Sequence, residues 1–128
     1  MKYKGCIVKV LIVEDDELNQ MVLSEMLNIL FTDLEIEIES SAFSVLERDD
    51  LDAFDIILSD INMPKMDGMQ LFSILKEERN FSKPILAITA LAVDGERERI
   101  LLHGFDGYIA KPIDLMDLQT TLTPYLKG

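Results

Sequence analysis

Two hydrophobic rhythms alternate along this chain. Ile7–Val13 (IVKVLIV) is a β-branched apolar run, as expected of a strand covered on both faces. Glu17–Leu30 follows at helical spacing, with Leu18, Met21, Val22, Met26 and Ile29 predicted to form one buried face. That helix is apolar nearly all round, so Leu23, Leu27 and Leu30 read either as an exposed face or as further core. Glu35–Glu39 (EIEIE) alternates strictly, the mark of a half-exposed strand near a sheet edge. A short helix is predicted over Ala42–Arg48.

Ile56–Ser59 is a third, more buried strand, and Pro64 and Gly68 mark a loop after it. The spacing of Met69, Phe72 and Leu75 predicts a helix over about Met69–Glu78. Pro84–Thr89 (PILAIT) is a fourth strand, with proline at its first residue, where a missing N–H is tolerated. Asp94–His103 reads as a charged helix capped by Gly104, with His103 favourable at its C-terminal dipole end. Tyr108–Ala110 is a short fifth strand, and Asp114 is the expected N-cap of a last helix, Asp114–Tyr125. Five strands alternating with five helices predict an α/β fold, a doubly wound parallel sheet built from right-handed βαβ units.

Composition narrows the class. A chain of 128 residues fits one domain, 1–128, and 48 % apolar with 28 % charged residues marks it as soluble and globular. No apolar run approaches the roughly 18–20 residues a bilayer span needs, and no cleavage site follows the opening Met1–Cys6 stretch, so no membrane insertion and no signal peptide are expected. The single cysteine, Cys6, suits a reducing compartment, and a cytoplasmic location is the expectation. A net charge of −12 repels phosphate backbones and argues against direct nucleic-acid binding. The methionines fall at core spacing or in the Met63–Met69 loop, where Met63 and Met66 are expected at a rim.

Open sheets of this kind bind ligands beyond the carboxyl ends of their strands. Glu14, Asp15 and Asp16 follow the first strand and Asp60 the third, while Thr89 ends the fourth and Lys111-Pro112 follows the fifth. Each is the polar residue that stops an apolar run, so separate segments bring carboxylates, a hydroxyl and an ammonium to one edge. Crowded carboxylates there would be stabilised by Mg²⁺, which takes oxygen ligands and keeps several waters. With a cation and Lys111 neutralising charge and Thr89 donating a hydrogen bond, Asp60 could act as nucleophile toward a phosphoryl group. Glu14–Glu17 would equally suit the acidic first turn of a helix.

Val10–Asp15 (VLIVED), Ile57–Gly68 (ILSDINMPKMDG), Pro84–Ala90 (PILAITA) and Asp106–Pro112 (DGYIAKP) together resemble the four motifs of the response-regulator receiver family of two-component systems. The match runs over essentially the whole chain in the right order. It implies a flavodoxin-like (βα)5 fold with strand order 2-1-3-4-5. It implies Asp60 as phosphoacceptor, and Mg²⁺ held by Glu14, Asp15, Asp60 and the backbone carbonyl of Asn62. Asp15 with Asp16 is the alternative metal pair. Thr89 and the backbone N–H of Ala90 would donate to the phosphoryl group, and Lys111 would bind one of its oxygens. Thr89 and Tyr108 match the coupled switch pair, and Pro112 the cis Lys-Pro bond. Ile61, Asn62 and Leu91 flank the site and would tune loss of the phosphoryl group.

The implied partners are a histidine kinase or histidine phosphotransfer domain, docking on the first helix, and a downstream protein effector. The effector would meet the surface of Asp94–His103, Tyr108–Ala110 and Asp114–Tyr125, and the family also forms homodimers through that face. VEDDELNQ (13–20) and ALAVDGERER (90–99) are most similar to receivers of hybrid histidine kinases and their stand-alone relatives, which points to a phosphorelay. With nothing after Gly128, the chain is expected to be a stand-alone regulator or a piece of a longer one. Not an enzyme in the ordinary sense, it would only phosphorylate and dephosphorylate itself. A haloacid-dehalogenase-type phosphatase would need an aspartate at position 62, where this chain has Asn, and a dinucleotide fold would need a Gly-rich turn where Glu14-Asp15-Asp16 stands.

Overall fold

The computed structural model describes residues 7–90 and 95–126. Met1–Cys6, Leu91, Asp94 and Gly128, which the sequence singles out, lie outside the described residues. In chain order the elements are β1 (Val8–Val13), α1 (Glu17–Leu30), β2 (Leu34–Glu39), α2 (Ala42–Leu46), β3 (Ile56–Asp60), α3 (Gly68–Glu77), β4 (Ile85–Thr89), α4 (Glu96–His103), β5 (Gly107–Ala110) and α5 (Leu115–Leu126). A 3-10 turn, Leu51–Ala53, which no periodicity announced, precedes β3.

All five strands are parallel, in the order β2-β1-β3-β4-β5. The expected fold class and strand order therefore hold. The chain moves outward from β1 to β2, then crosses back to place β3 on the other side of β1. The strand order thus switches between β1 and β3, where an open α/β sheet leaves a crevice at its carboxyl edge.

The sheet separates two cores. Leu23 and Leu27 of α1 pack with Leu118, Leu122 and Leu126 of α5 on one face, over Val10, Ile12, Leu58 and Ile88. On the other face α2, α3 and α4 contribute Val45, Leu71, Phe72, Leu75 and Ile100 over Leu11, Val13, Ile57 and Ala87. The central strands β3 and β4 are buried at every residue, their apolar runs lying between two helical layers and ending in the buried polar residues Ser59, Asp60 and Thr89.

Two expectations are corrected. The predicted inward face of α1 is largely its outer face: Leu18, Met21, Val22 and Ile29 are exposed and Met26 is only partly buried. Leu23 and Leu27, open from sequence between an exposed face and further core, are core at 1 % and 0 % exposed, and Leu30 is partly buried beside them. Asp16 fixes where the helix begins by accepting from the N–H groups of Leu18 and Asn19, and from that start Leu23 and Leu27 pack on the sheet and α5. A helix apolar on all sides leaves the choice of inward face to its tertiary partners. Met63 and Met66 are likewise not rim residues. The loop closes through Gly68 N–H to Ile61 C=O, which folds Met63 into the α3-side core with Met66 against it.

β2 lies at the sheet edge, as expected, but its burial does not alternate: Glu37 and Glu39 are half-buried and Glu35 is exposed. Arg48 bonds Glu37, Glu39 and Asp50, and Lys9 pairs with Glu35 and Glu37, while Ile38 is exposed. Capping follows local sequence elsewhere. Asp67 and Gln70 form a reciprocal capping box at α3, Asp114 accepts from Asp117 N–H at the start of α5, and Gly104 ends α4 at φ 124°. A Cβ at Gly104 would also stand 2.9 Å from the Phe72 ring. No helix among the described residues is long and apolar enough to cross a membrane.

Candidate functional site

β1 and β3 end side by side, with Val13 paired to Ser59. The residues that follow therefore meet at the strand-order switch. Glu14 is 2 % exposed and Asp60, the last residue of β3, is 3 % exposed. Asp15 is exposed at the mouth. One carboxylate oxygen from each of Glu14, Asp15 and Asp60 lies within 4.8 Å of the others.

Lys111 enters from beyond β5. Its Nζ is 3.1 Å from Glu14 Oε1 and 3.2 Å from Asp60 Oδ2. Asp60 Oδ1 accepts from Asn62 N–H at 3.3 Å, and Glu14 Oε2 accepts from Asp16 N–H at 3.0 Å. The Asp16 carboxylate itself faces away, capping α1. Of the two carboxylate pairs open from sequence, the structure gathers Glu14 and Asp15 with Asp60.

The electrostatics follow from this crowding. Burial pushes the Glu14 carboxyl above the usual glutamate range; the Asp16 N–H pulls the other way, the charge of Asp60 adds to the rise, and Lys111 opposes it. For Lys111, burial lowers the pKa, but the Asp60 charge and the bond and charge of Glu14 outweigh it and hold the ammonium above its ordinary value. Three carboxylates against one ammonium leave a formal excess of two negative charges. A divalent oxygen-seeking cation matches both that charge and that donor set, so Glu14, Asp15 and Asp60 could hold Mg²⁺.

The other predicted residues lie along the same edge. Thr89 ends β4, one residue beyond the Asp60–Ile88 pair, and is 2 % exposed. Its carbonyl accepts from Lys111 N–H at 2.8 Å, tying the ends of β4 and β5 together. Ala90 follows it at the surface, Asn62 is exposed on the opposite rim, and the Lys111–Pro112 peptide is cis. Tyr108 pairs with Ala87, two residues back along β5 from Ala110, and is half-buried, with Arg97 of α4 5.5 Å from its ring centroid.

Sequence reasoning passed over two supporting residues. The sequence marks Gly68 only as part of a loop, but a Cβ there would stand 2.3 Å from the Asp60 carbonyl oxygen and 2.9 Å from the Ile61 Cα. Only glycine lets the start of α3 close against the end of β3 without moving Asp60. Gln20 sends its side-chain amide back to the Glu14 carbonyl at 2.6 Å. His103, at the C-terminal end of α4 as expected, also joins α4 to α3, its Nε2 lying 3.1 Å from both Ser73 Oγ and the Met69 carbonyl.

Comparison with known proteins identifies the family. Residues 10–123 match the family model described as the response regulator receiver domain. The hybrid signal transduction histidine kinase G of Dictyostelium discoideum is 34 % identical over 120 residues, 92 % of this chain but 4 % of that protein. The chain thus spans a small part of that relative's length. The polar-differentiation response regulator DivK of Brucella ovis is 35 % identical over 127 residues, covering 91 % of this chain and 94 % of that protein. Among solved structures, the receiver domain of the sensor histidine kinase PA1611 from Pseudomonas aeruginosa, described with a magnesium ion coordinated in its active site cleft, superposes with a TM-score of 0.78 at 30 % identity, over 96 % of this chain and all of that one. The chain belongs to the response regulator receiver domain family, the receiving modules of phosphorelay signalling rather than ordinary enzymes.

Proposed function

We propose that this domain takes a phosphoryl group onto Asp60 from a phosphohistidine of a histidine kinase or phosphotransfer domain. The observation that carries the reading is the buried Asp60 carboxylate at the end of β3, with Lys111 at 3.2 Å and Glu14 and Asp15 gathered beside it. An Asp60 oxygen attacks phosphorus as the P–N bond to the donor imidazole breaks, and the histidine leaves with its electron pair. Glu14, Asp15, Asp60 and the backbone carbonyl of Asn62 would hold Mg²⁺, which when bound neutralises charge on the transferring group. The magnesium described in the PA1611 receiver supports that assignment. Lys111 binds a phosphoryl oxygen, and Thr89 and the Ala90 N–H donate to the others.

The donor docks on α1. Its outward stripe of Leu18, Met21, Val22 and Ile29 is an unusual amount of exposed apolar surface next to Asp15 and suits helices of a histidine domain. The output surface is the α4-β5-α5 face. Drawing Thr89 toward the phosphoryl group opens room for Tyr108 to turn inward and away from Arg97. That changes a depression of about 430 Å³ lined by Leu101, Gly107, Tyr108, Ala110, Asp117 and Thr121, where a downstream protein or a second copy would bind. A nearly complete switch needs about 5.5 kcal/mol of differential stabilisation, which a multiply charged group meeting a divalent cation and Lys111 can largely provide. The domain spans the chain and acts in the cytoplasm in this reading.

Intact mass after incubation with Mg²⁺ and a small phosphodonor tests it. Wild type gains about 80 Da, the mass of one phosphoryl group on an aspartate, only when Mg²⁺ is present, and Asp60→Asn gains nothing. A folded wild type that takes no phosphoryl group, either from small donors or from phosphorylated histidine domains, overturns the proposal in favour of a purely binding module.

A further inference from the structure

We infer that Gln20 is a positioning residue for the acidic pair, fixing the peptide plane between Glu14 and Asp15 so that the Asp15 carboxylate faces the cation beside that of Glu14. The inference rests on the proposed role of those carboxylates as metal ligands. Gln20 lies in the first turn of α1, and its own N–H is part of the helix, bonded to the Asp16 carbonyl at 3.0 Å. Its side chain turns back toward the helix start, as helical side chains do. There its amide nitrogen donates to the Glu14 carbonyl at 2.6 Å and to Ser40 Oγ at 3.4 Å. The Glu14 N–H donates to the Glu39 carbonyl at 3.1 Å. Both backbone polar groups of Glu14 are thereby tied to the end of β2, one directly and one through Gln20.

The consequence for Asp15 is geometric. A peptide unit is planar, so the direction of the Glu14 carbonyl fixes the direction of the Asp15 N–H and the start of the Asp15 residue. The Glu14 carboxylate is held independently, by Lys111 and by the Asp16 N–H. Asp15 has no such burial: it is exposed, and repulsion from the two carboxylates behind it favours swinging outward. Gln20 blocks the rotation of the plane that this swing requires. Groups that orient metal ligands in this way typically account for 10- to 100-fold in metal affinity.

Calorimetric Mg²⁺ titration of the whole chain, paired with metal-free thermal melts, tests the role. Gln20→Met keeps length and shape but removes both donors. Its expected Kd for Mg²⁺ is about 10-fold weaker than wild type, with the metal-free melt little changed. Gln20→Lys, which restores a donor of similar reach, recovers most of the affinity at physiological salt. A Gln20→Met protein that binds Mg²⁺ as tightly as wild type overturns the inference, and so does a loss that Gln20→Lys does not reverse. Wild type that takes up no Mg²⁺ overturns the reading of the acidic pair, and this inference with it.

Discussion

Glu14 sits 2 % exposed beside Asp60, so the fold disfavours its charge even with Lys111 in reach. Its folded pKa is raised above the unfolded value. Ionised Glu14 therefore lowers the stability of the metal-free protein near neutral pH, and the penalty is relieved as pH falls through the raised value. Lys111, also raised, has the opposite window: its contribution is complete below the ordinary lysine value and is lost only as pH rises through the folded one. Glu14→Gln keeps a hydrogen-bond acceptor for Lys111 and removes the charge. It should melt above wild type without Mg²⁺ at pH 7, and gain less than wild type when Mg²⁺ is added. A metal-free Glu14→Gln that melts below wild type would show instead that the Lys111 pair outweighs the crowding. The charged members of this site were legible in the sequence because each one stops an apolar run. Gln20 and Gly68 were not, because their signal lies in contacts with the Glu14 and Asp60 carbonyls that exist only once the turns after β1 and β3 have closed.

Among the elements, α1 is where sequence patterning reached its limit. Eight apolar side chains lie between Leu18 and Leu30, enough to satisfy the helical period in more than one phase. What decides the phase is tertiary, the packing of Leu23 and Leu27 against the sheet and the leucines of α5, which no local period encodes. The two faces should now respond differently. Leu27→Ala opens a cavity against the α5-side core and should destabilise by about 2–5 kcal/mol in urea unfolding. Met21→Glu, on the exposed stripe, should leave stability within about 0.5 kcal/mol of wild type. The same variant should slow phosphotransfer from a histidine domain roughly 10-fold, the loss of about 1.4 kcal/mol of docking energy, while labelling by a small donor is unchanged. Equal loss with both donors would remove α1 as the docking helix. At the sheet edge, Arg48 gathers Asp50, Glu37 and Glu39, and its bonds hold Glu37 and Asp50 below the usual carboxylate range. That contribution is present above the ordinary carboxylate values and is lost as pH falls through the lowered ones. Arg48→Met should therefore be less stable than wild type at pH 7, with the gap narrowing below about pH 4. A gap that stays constant into acid would assign the effect to Arg48 packing on the Phe54 ring rather than to charge.

The molecule as a whole carries −12, of which the site's excess is a small part. Two kinds of cation response follow, and they separate by specificity. Diffuse self-repulsion among surface carboxylates is screened by any salt, so the melting temperature should rise gradually with NaCl. A cation held by Glu14, Asp15 and Asp60 acts by mass action on the folded state alone, giving about 2.7 kcal/mol at a hundred times its Kd. Asp60→Asn removes one of the three carboxylates and leaves the other surface charges as they were. Wild type and Asp60→Asn should therefore rise in parallel with NaCl. Millimolar Mg²⁺ at constant ionic strength should raise wild type strongly and the variant far less. Thermal melts of both proteins under the two regimes decide the matter. Parallel behaviour in Mg²⁺ as well as NaCl would mean that the acidic cluster at the strand-order switch is only part of the charged surface. A split confined to Mg²⁺ would make it a site whose cation stabilises the fold and prepares Asp60 for the phosphoryl group.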